Sequence, residues 1–114
     1  MASITSITAE FNQNEAVVLL KVTTNDFEVN VWLRAGEVPI VRRVASASWL
    51  DGALKIGQSA NAPVCWSVDD DTLTLLVGHD DQAWDIAVSL PASALPEIIS
   101  EIEHSLVGYH FGAE

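Results

Sequence analysis

The side chains with the most evident chemical capacity lie in two short turns of the second half. His79-Asp80-Asp81 groups an imidazole with two carboxylates, and Asp69-Asp70-Asp71 groups three carboxylates. Either set has the donor types that bind a hard or borderline cation. Consecutive side chains in a turn rarely converge on one ion, however, and three adjacent Asp residues lack the alternating spacing of a calcium loop. Both read as solvated acidic turns, so no metal and no cofactor is expected. Cys65 sits between Val64 and Trp66 with no base beside it, which suits a structural thiol, because reactive cysteines need an accessible, electropositive setting. His104 follows a run of helical periodicity and is explained by the negative end of the helix dipole. Paired-carboxylate hydrolysis needs two acids facing across a cleft at ~5 Å or ~6.5–9.5 Å, and nothing in the spacing arranges such a pair. Phosphate loops, nucleophile elbows and zinc-spaced Cys/His sets are absent. The chain reads as a binding protein and not an enzyme.

What replaces a catalytic motif is charge. Lys55 is the last basic residue, and the 59 residues from Ile56 to Glu114 carry ten carboxylates against no Lys or Arg. The first 55 residues hold six acids and five bases, so they contribute −1 of the formal −11 and the remainder contributes −10. A one-signed field on half of a small domain attracts cationic partners and repels nucleic acid and acidic membranes. The competing explanation is solubility alone. Arg34, Arg42 and Arg43 are too few to serve a phosphate backbone, and are expected to pair with acids of the same chain.

A chain of 114 residues with 49% hydrophobic composition supports one domain with its own core. Its single cysteine cannot form an internal disulfide. Residues Met1 to Glu10 have neither a basic nor an apolar leader segment, and no apolar run approaches the ~18 residues that cross a bilayer. These features predict a soluble, cytoplasmic protein.

The elements that must position the acids are strands first and a helix last. Ala16 to Val22 is a β-branched run suited to a central strand. Phe27 to Leu33 alternates cleanly, with Phe27, Val29, Val31 and Leu33 on one face and Trp32 among polar residues on the other. Ala35–Glu37 reads as a turn with Gly36 as its permissive residue. Val38 to Val44 reads as another β segment, with Pro39 at its start, edge or bulge. Leu54–Ile56 is a candidate short strand. Val64–Val68 and Thr72–Val77 form a hairpin about Asp69–Asp71, and Ala83 to Leu90 returns as a strand placing Trp84, Ile86, Val88 and Leu90 on one face. A helix follows, with Ser93 as N-cap, Pro96 in the first turn, Gly108 as C-cap, and Leu95, Ile98, Ile99, Ile102 and Leu106 as its apolar stripe. The expected fold is α+β: a mostly antiparallel sheet of five to seven strands with a C-terminal amphipathic helix on one face.

Alternate hairpin turns lie at opposite ends of a sheet, so Asp69–Asp71 and Asp80–Asp81 are expected roughly 20 Å apart at ~3.3 Å per residue. The acids therefore form a broad band. Trp32 is either covered or an exposed hydrophobic anchor; Trp49 admits both readings; Trp84 is expected in the core.

The segment APVCWSVDDDTLTLLVGHDDQAWDIAVSLPASALPEIISEIEHSL, from Ala62 to Leu106, combined with the small size, acidity and single cysteine, resembles the immunity proteins of bacterial polymorphic-toxin and contact-dependent inhibition systems. The likeness is one of pattern, and no binding residue is carried over by match. It implies that the chain blocks the cationic active surface of a cognate toxin domain, for instance a nuclease. The expected contact set is Asp69, Asp70, Asp71, Asp80, Asp81, Asp85, Glu97 and Glu101, with Trp32 or Trp49 as anchor. The partner would be a cationic protein, not nucleic acid or membrane, and the chain itself a monomer or homodimer. A small acidic secretion-chaperone-like or adaptor module is the alternative.

Overall fold

The computed structural model describes residues 3–46, 52–79 and 83–107. Seven antiparallel strands follow one another in space as they do in sequence: β1 (Ile4–Asn12), β2 (Val17–Thr24), β3 (Glu28–Arg34), β4 (Leu54–Ser59), β5 (Ala62–Asp69), β6 (Thr72–Gly78) and β7 (Trp84–Pro91). The helix α2 (Ala94–Ser105) packs along β1 and also meets β2 and β7. The fold is the expected α+β arrangement, at the upper end of the expected strand number.

Two elements differ from the sequence expectation. The edge strand β1 has no counterpart among the expected strands. Its apolar positions Ile7, Ala9 and Phe11 alternate and pack on the core, but an irregularity between Ile4 and Ser6 shifts the register and blurs the period. The segment from Val38 to Val44 is helical, not extended. A 3-10 turn over Ala35–Glu37 leads into α1 (Val38–Val41), and a second 3-10 turn covers Arg42–Ser46. Val38, Val41 and Val44 are all buried; their spacing of three is a helical stripe, and Pro39 is tolerated in a first turn because its missing N–H has no partner there. Gly36 has open space around a hypothetical Cβ and no positive φ, so the turn does not require a glycine.

The core lies between one sheet face and these helical segments. Val18, Leu20 and Val22 of β2, Val29, Val31 and Leu33 of β3, Ile56, Val64, Trp66, Leu73, Leu75 and Val77 meet Leu95, Ile98, Ile102 and Leu106 of α2. Trp66 is the largest fully buried side chain, and its indole N–H donates to the carbonyl of Ile56 at 2.9 Å. That bond removes the desolvation cost of the ring's polar edge. Cys65, buried at 3% exposure, stands on the opposite sheet face from Trp66, outside the main core cluster.

Turn chemistry sets the registers. Asn12 Oδ1 accepts the N–H groups of Asn14 (3.0 Å) and Glu15 (3.2 Å). Thr24 Oγ1 donates to the Phe27 carbonyl (3.0 Å) and accepts from Asp26 and Phe27. Ala60 and Asn61 both have positive φ between the paired Ser59 and Ala62, as a two-residue hairpin needs for its twist.

The β3–β4 seam is thin, with Trp32 opposite Gln58 as its one registered pair among the described residues. Glu37 reinforces it: one carboxylate oxygen accepts the Arg34 N–H (2.9 Å) and the other the Gly57 N–H (3.1 Å). Gly57 has φ +74, and a Cβ there would stand 2.8 Å from the Trp32 carbonyl and 2.9 Å from Val31 Cγ1. Glycine is required at that position.

Candidate interaction surfaces

The acids fall into two groups. Asp69 closes β5 opposite Thr72, and Asp70 occupies the turn at φ 53, which Asp accepts better than most non-glycine residues. The Ala92 N–H donates to the Asp71 carbonyl at 2.8 Å, tying the start of α2 to this turn. Asp69, Asp70 and Asp71 thus share one end of the molecule with Glu97, which lies in the first turn of α2. Glu101 follows one turn later and flanks, with Ile7, Pro96, Glu97 and Ser100, a shallow groove between α2 and β1. Asp70, Asp71, Glu97 and Glu101 are all exposed, and none is in a salt bridge among the described residues.

Asp85 belongs to the second group, at the opposite end of β7, roughly 20 Å along the strand from the Asp69–Asp71 turn at ~3.3 Å per residue. Asp80, Asp81 and Trp49 lie outside the described residues.

The expected anchor Trp32 is exposed, at 47%, and it does not stand among the acids. It projects from the outer face of β3 with Leu19 of β2 opposite, and shares a concavity of about 280 Å³ with Val17, Arg34, Glu37, Lys55, Gln58 and Pro63. Lys21, Arg34 and Lys55, three of the five basic residues of the chain, occupy this face beside Glu10, Glu28 and Glu37. The face is of mixed charge, as the near-neutral first half requires.

Of the remaining cations, Arg42 makes the expected internal pair. Its Nε and Nη2 donate to Glu103 Oε2 and Oε1, each at 2.6 Å. The hydrogen bond and the adjacent carboxylate charge raise the guanidinium pKa above its ordinary value. The bridge pins the 3-10 turn at Arg42–Ser46 to the outer side of α2 and neutralises one acid of the helix. Beside it Leu95, Pro96, Ile99 and Val107 line a groove of about 640 Å³.

Trp84 corrects a sequence expectation. It is 44% exposed, and Ile86 is 54% exposed, whereas Val88 and Leu90 further along the same strand are buried. Ile86 keeps the face of Val88 and Leu90 but lies beyond the covering layer, whereas the register slip between Val77 and Gly78 sets Trp84 opposite Gly78, on the other face of the sheet. Sequence periodicity reports neither a one-residue bulge, which reverses the face of the residues beyond it, nor how far a distant helix extends.

Among the described residues no three His, Cys, Asp or Glu side chains gather as a metal site, and no helix is long and apolar enough to cross a membrane. Comparison with protein-family models, with curated proteins and with solved structures returns no match.

Proposed function

We propose that the chain is an acidic binding protein whose Asp69–Asp71 and Glu97–Glu101 end meets a cationic protein partner, in the manner of an immunity protein covering the active surface of a cognate toxin domain. The observation that carries this reading is the gathering of Asp70, Asp71, Glu97 and Glu101 at one end, exposed and without a salt bridge among the described residues, while Arg42 is engaged by Glu103. Adjacent like charges such as Glu97 and Glu101 cost a helix a few tenths of a kcal/mol. Complementary charge on a partner converts that cost into faster, selective encounter. Affinity would come from a few well-packed contacts, with rim carboxylates supplying rate and partner choice.

Co-expression with cationic effector domains from the source genome tests the proposal. Rescue from toxicity by the native chain, and its loss when Asp70, Asp71, Glu97 and Glu101 are together changed to Lys, supports it. If no such domain is neutralised, the reading fails. A secretion-chaperone-like adaptor is the second reading, favoured by the apolar groove beside the Arg42–Glu103 bridge; an obligate dimer in sedimentation would support it over the first.

A further inference from the structure

The two edges of the sheet are treated differently. At β1 the large apolar residues Ile4, Ile7 and Phe11 are partly buried against the core, and α2 packs along the strand. Strand β7 pairs with β6 on one side and has no strand on the other among the described residues. Its first half presents Trp84, Asp85, Ile86 and Ala87 to solvent. Ile86 is registered with the buried Val77, so an apolar surface continuous with the core runs out to this edge. An uncovered strand edge with exposed large apolar side chains is a template for an added strand, and folded proteins ordinarily blunt such edges.

The local geometry is held firmly. The register slips between Val77 and Gly78, leaving Asp85 as the extra residue between the registered Ile86 and Trp84. A Cβ on Gly78 would collide with the Trp84 backbone and come within 2.8 Å of the Ala83 carbonyl. The His79 N–H donates to that same Ala83 carbonyl at 2.8 Å. The bulge is therefore built into the chain by a glycine that nothing larger can replace, and it fixes Trp84 and Asp85 where they are.

We infer that β7 receives, by strand addition, an extended segment of the cationic partner in which apolar and basic residues alternate. This rests on the functional reading above and names how the partner is gripped. Main-chain hydrogen bonds to the free edge supply affinity, and alternate side chains supply selectivity. An apolar side chain opposite Ile86 would cover the exposed end of the core, and a basic one would meet Asp85. A second copy of this chain is the wrong occupant, because it would bring together two Asp85 edges, each belonging to the half that carries −10.

The test uses the isotopically labelled full chain and a blocked nine-residue peptide of alternating lysine and valine, beside the same peptide N-methylated throughout. The N-methylated peptide keeps charge and side chains but cannot donate to a ladder. Strand addition predicts at least tenfold tighter binding of the unmodified peptide, slowed hydrogen exchange at alternate β7 amides, and a similar loss of affinity in a Trp84→Thr/Ile86→Thr variant. Equal binding of both peptides at low salt, with resonance shifts confined to Asp70, Asp71, Glu97 and Glu101, overturns strand addition and leaves the acidic-surface function standing. Failure of both peptides to bind at low salt overturns the two together.

Discussion

The outer face of β2–β4 and the rim formed by the second half of the chain both present tryptophan to solvent, yet in opposite electrostatic settings. Trp32 stands between Arg34, Lys55 and Glu37, where both signs are interspersed. Trp84 stands beside Asp85, in a stretch that contains no Lys or Arg. A mixed surface is what solubility and stability favour; a one-signed surface carries an electrostatic cost that folding does not recover. The difference separates an exposed aromatic on ordinary surface from one placed where a charged partner would be steered.

The sharpest way to break this contrast is to ask whether the two regions share one core. Trp66 packs centrally and bonds Ile56 on the β4 side, so Trp66→Ala should cost about 3–5 kcal/mol. Chemical denaturation should then show one transition displaced as a whole; two separated transitions would mean that the halves are independent. Next in size is the glycine contrast in the first half. Gly57→Ala meets the Trp32 carbonyl and Val31 at a positive φ, and should destabilise by about 2–3 kcal/mol from overpacking and backbone strain. Gly36→Ala, with open space around it, should lie within about 0.5 kcal/mol of the native chain by the same melting measurement.

Charge reversal at Asp70, Asp71, Glu97 and Glu101 should slow association with a cationic partner by roughly tenfold or more at low ionic strength, the effect shrinking as salt rises. Changing Lys21, Arg34 and Lys55 to Gln should leave that rate within about twofold. Stopped-flow traces in which the second set matters more than the first would reassign the interface to the Trp32 face. The smallest expected effect is on stability at Trp84. Because its ring is half exposed, Trp84→Thr should change unfolding free energy by less than about 1 kcal/mol; a loss of several would show that the ring is a core residue after all.

Several of these features were legible in the residues alone. The alternation of Val29, Val31 and Leu33 marked β3, the Asp69–Asp71 hairpin fell where the turn residues put it, and Leu95, Ile98, Ile102 and Leu106 announced the inner stripe of α2. Others were hidden by local ambiguity. Val38, Val41 and Val44 are β-branched and so resembled a strand, although their spacing of three was the better signal. The N-cap expected of Ser93 is not made by its side chain; its backbone is already helical, at φ −63 and ψ −13, and the Leu95 N–H bonds the Ala92 carbonyl instead. In β1, the register shift near Ile4 broke the period that would have revealed the strand.

The sequence by itself determined the antiparallel strands of the hairpins, the amphipathic last helix and the concentration of net negative charge in the second half, because alternation, turn propensity and side-chain charge are properties of neighbouring residues. Tertiary structure alone decided that Trp32 faces outward on a surface of mixed charge, that Glu37 clips β4 to the end of β3, that Ile86 lies beyond the cover that buries Val88 and Leu90, and that a bulge turns Trp84 to the other face. Each of those outcomes depends on pairing, register or coverage between segments distant in the chain, which no run of neighbouring residues encodes.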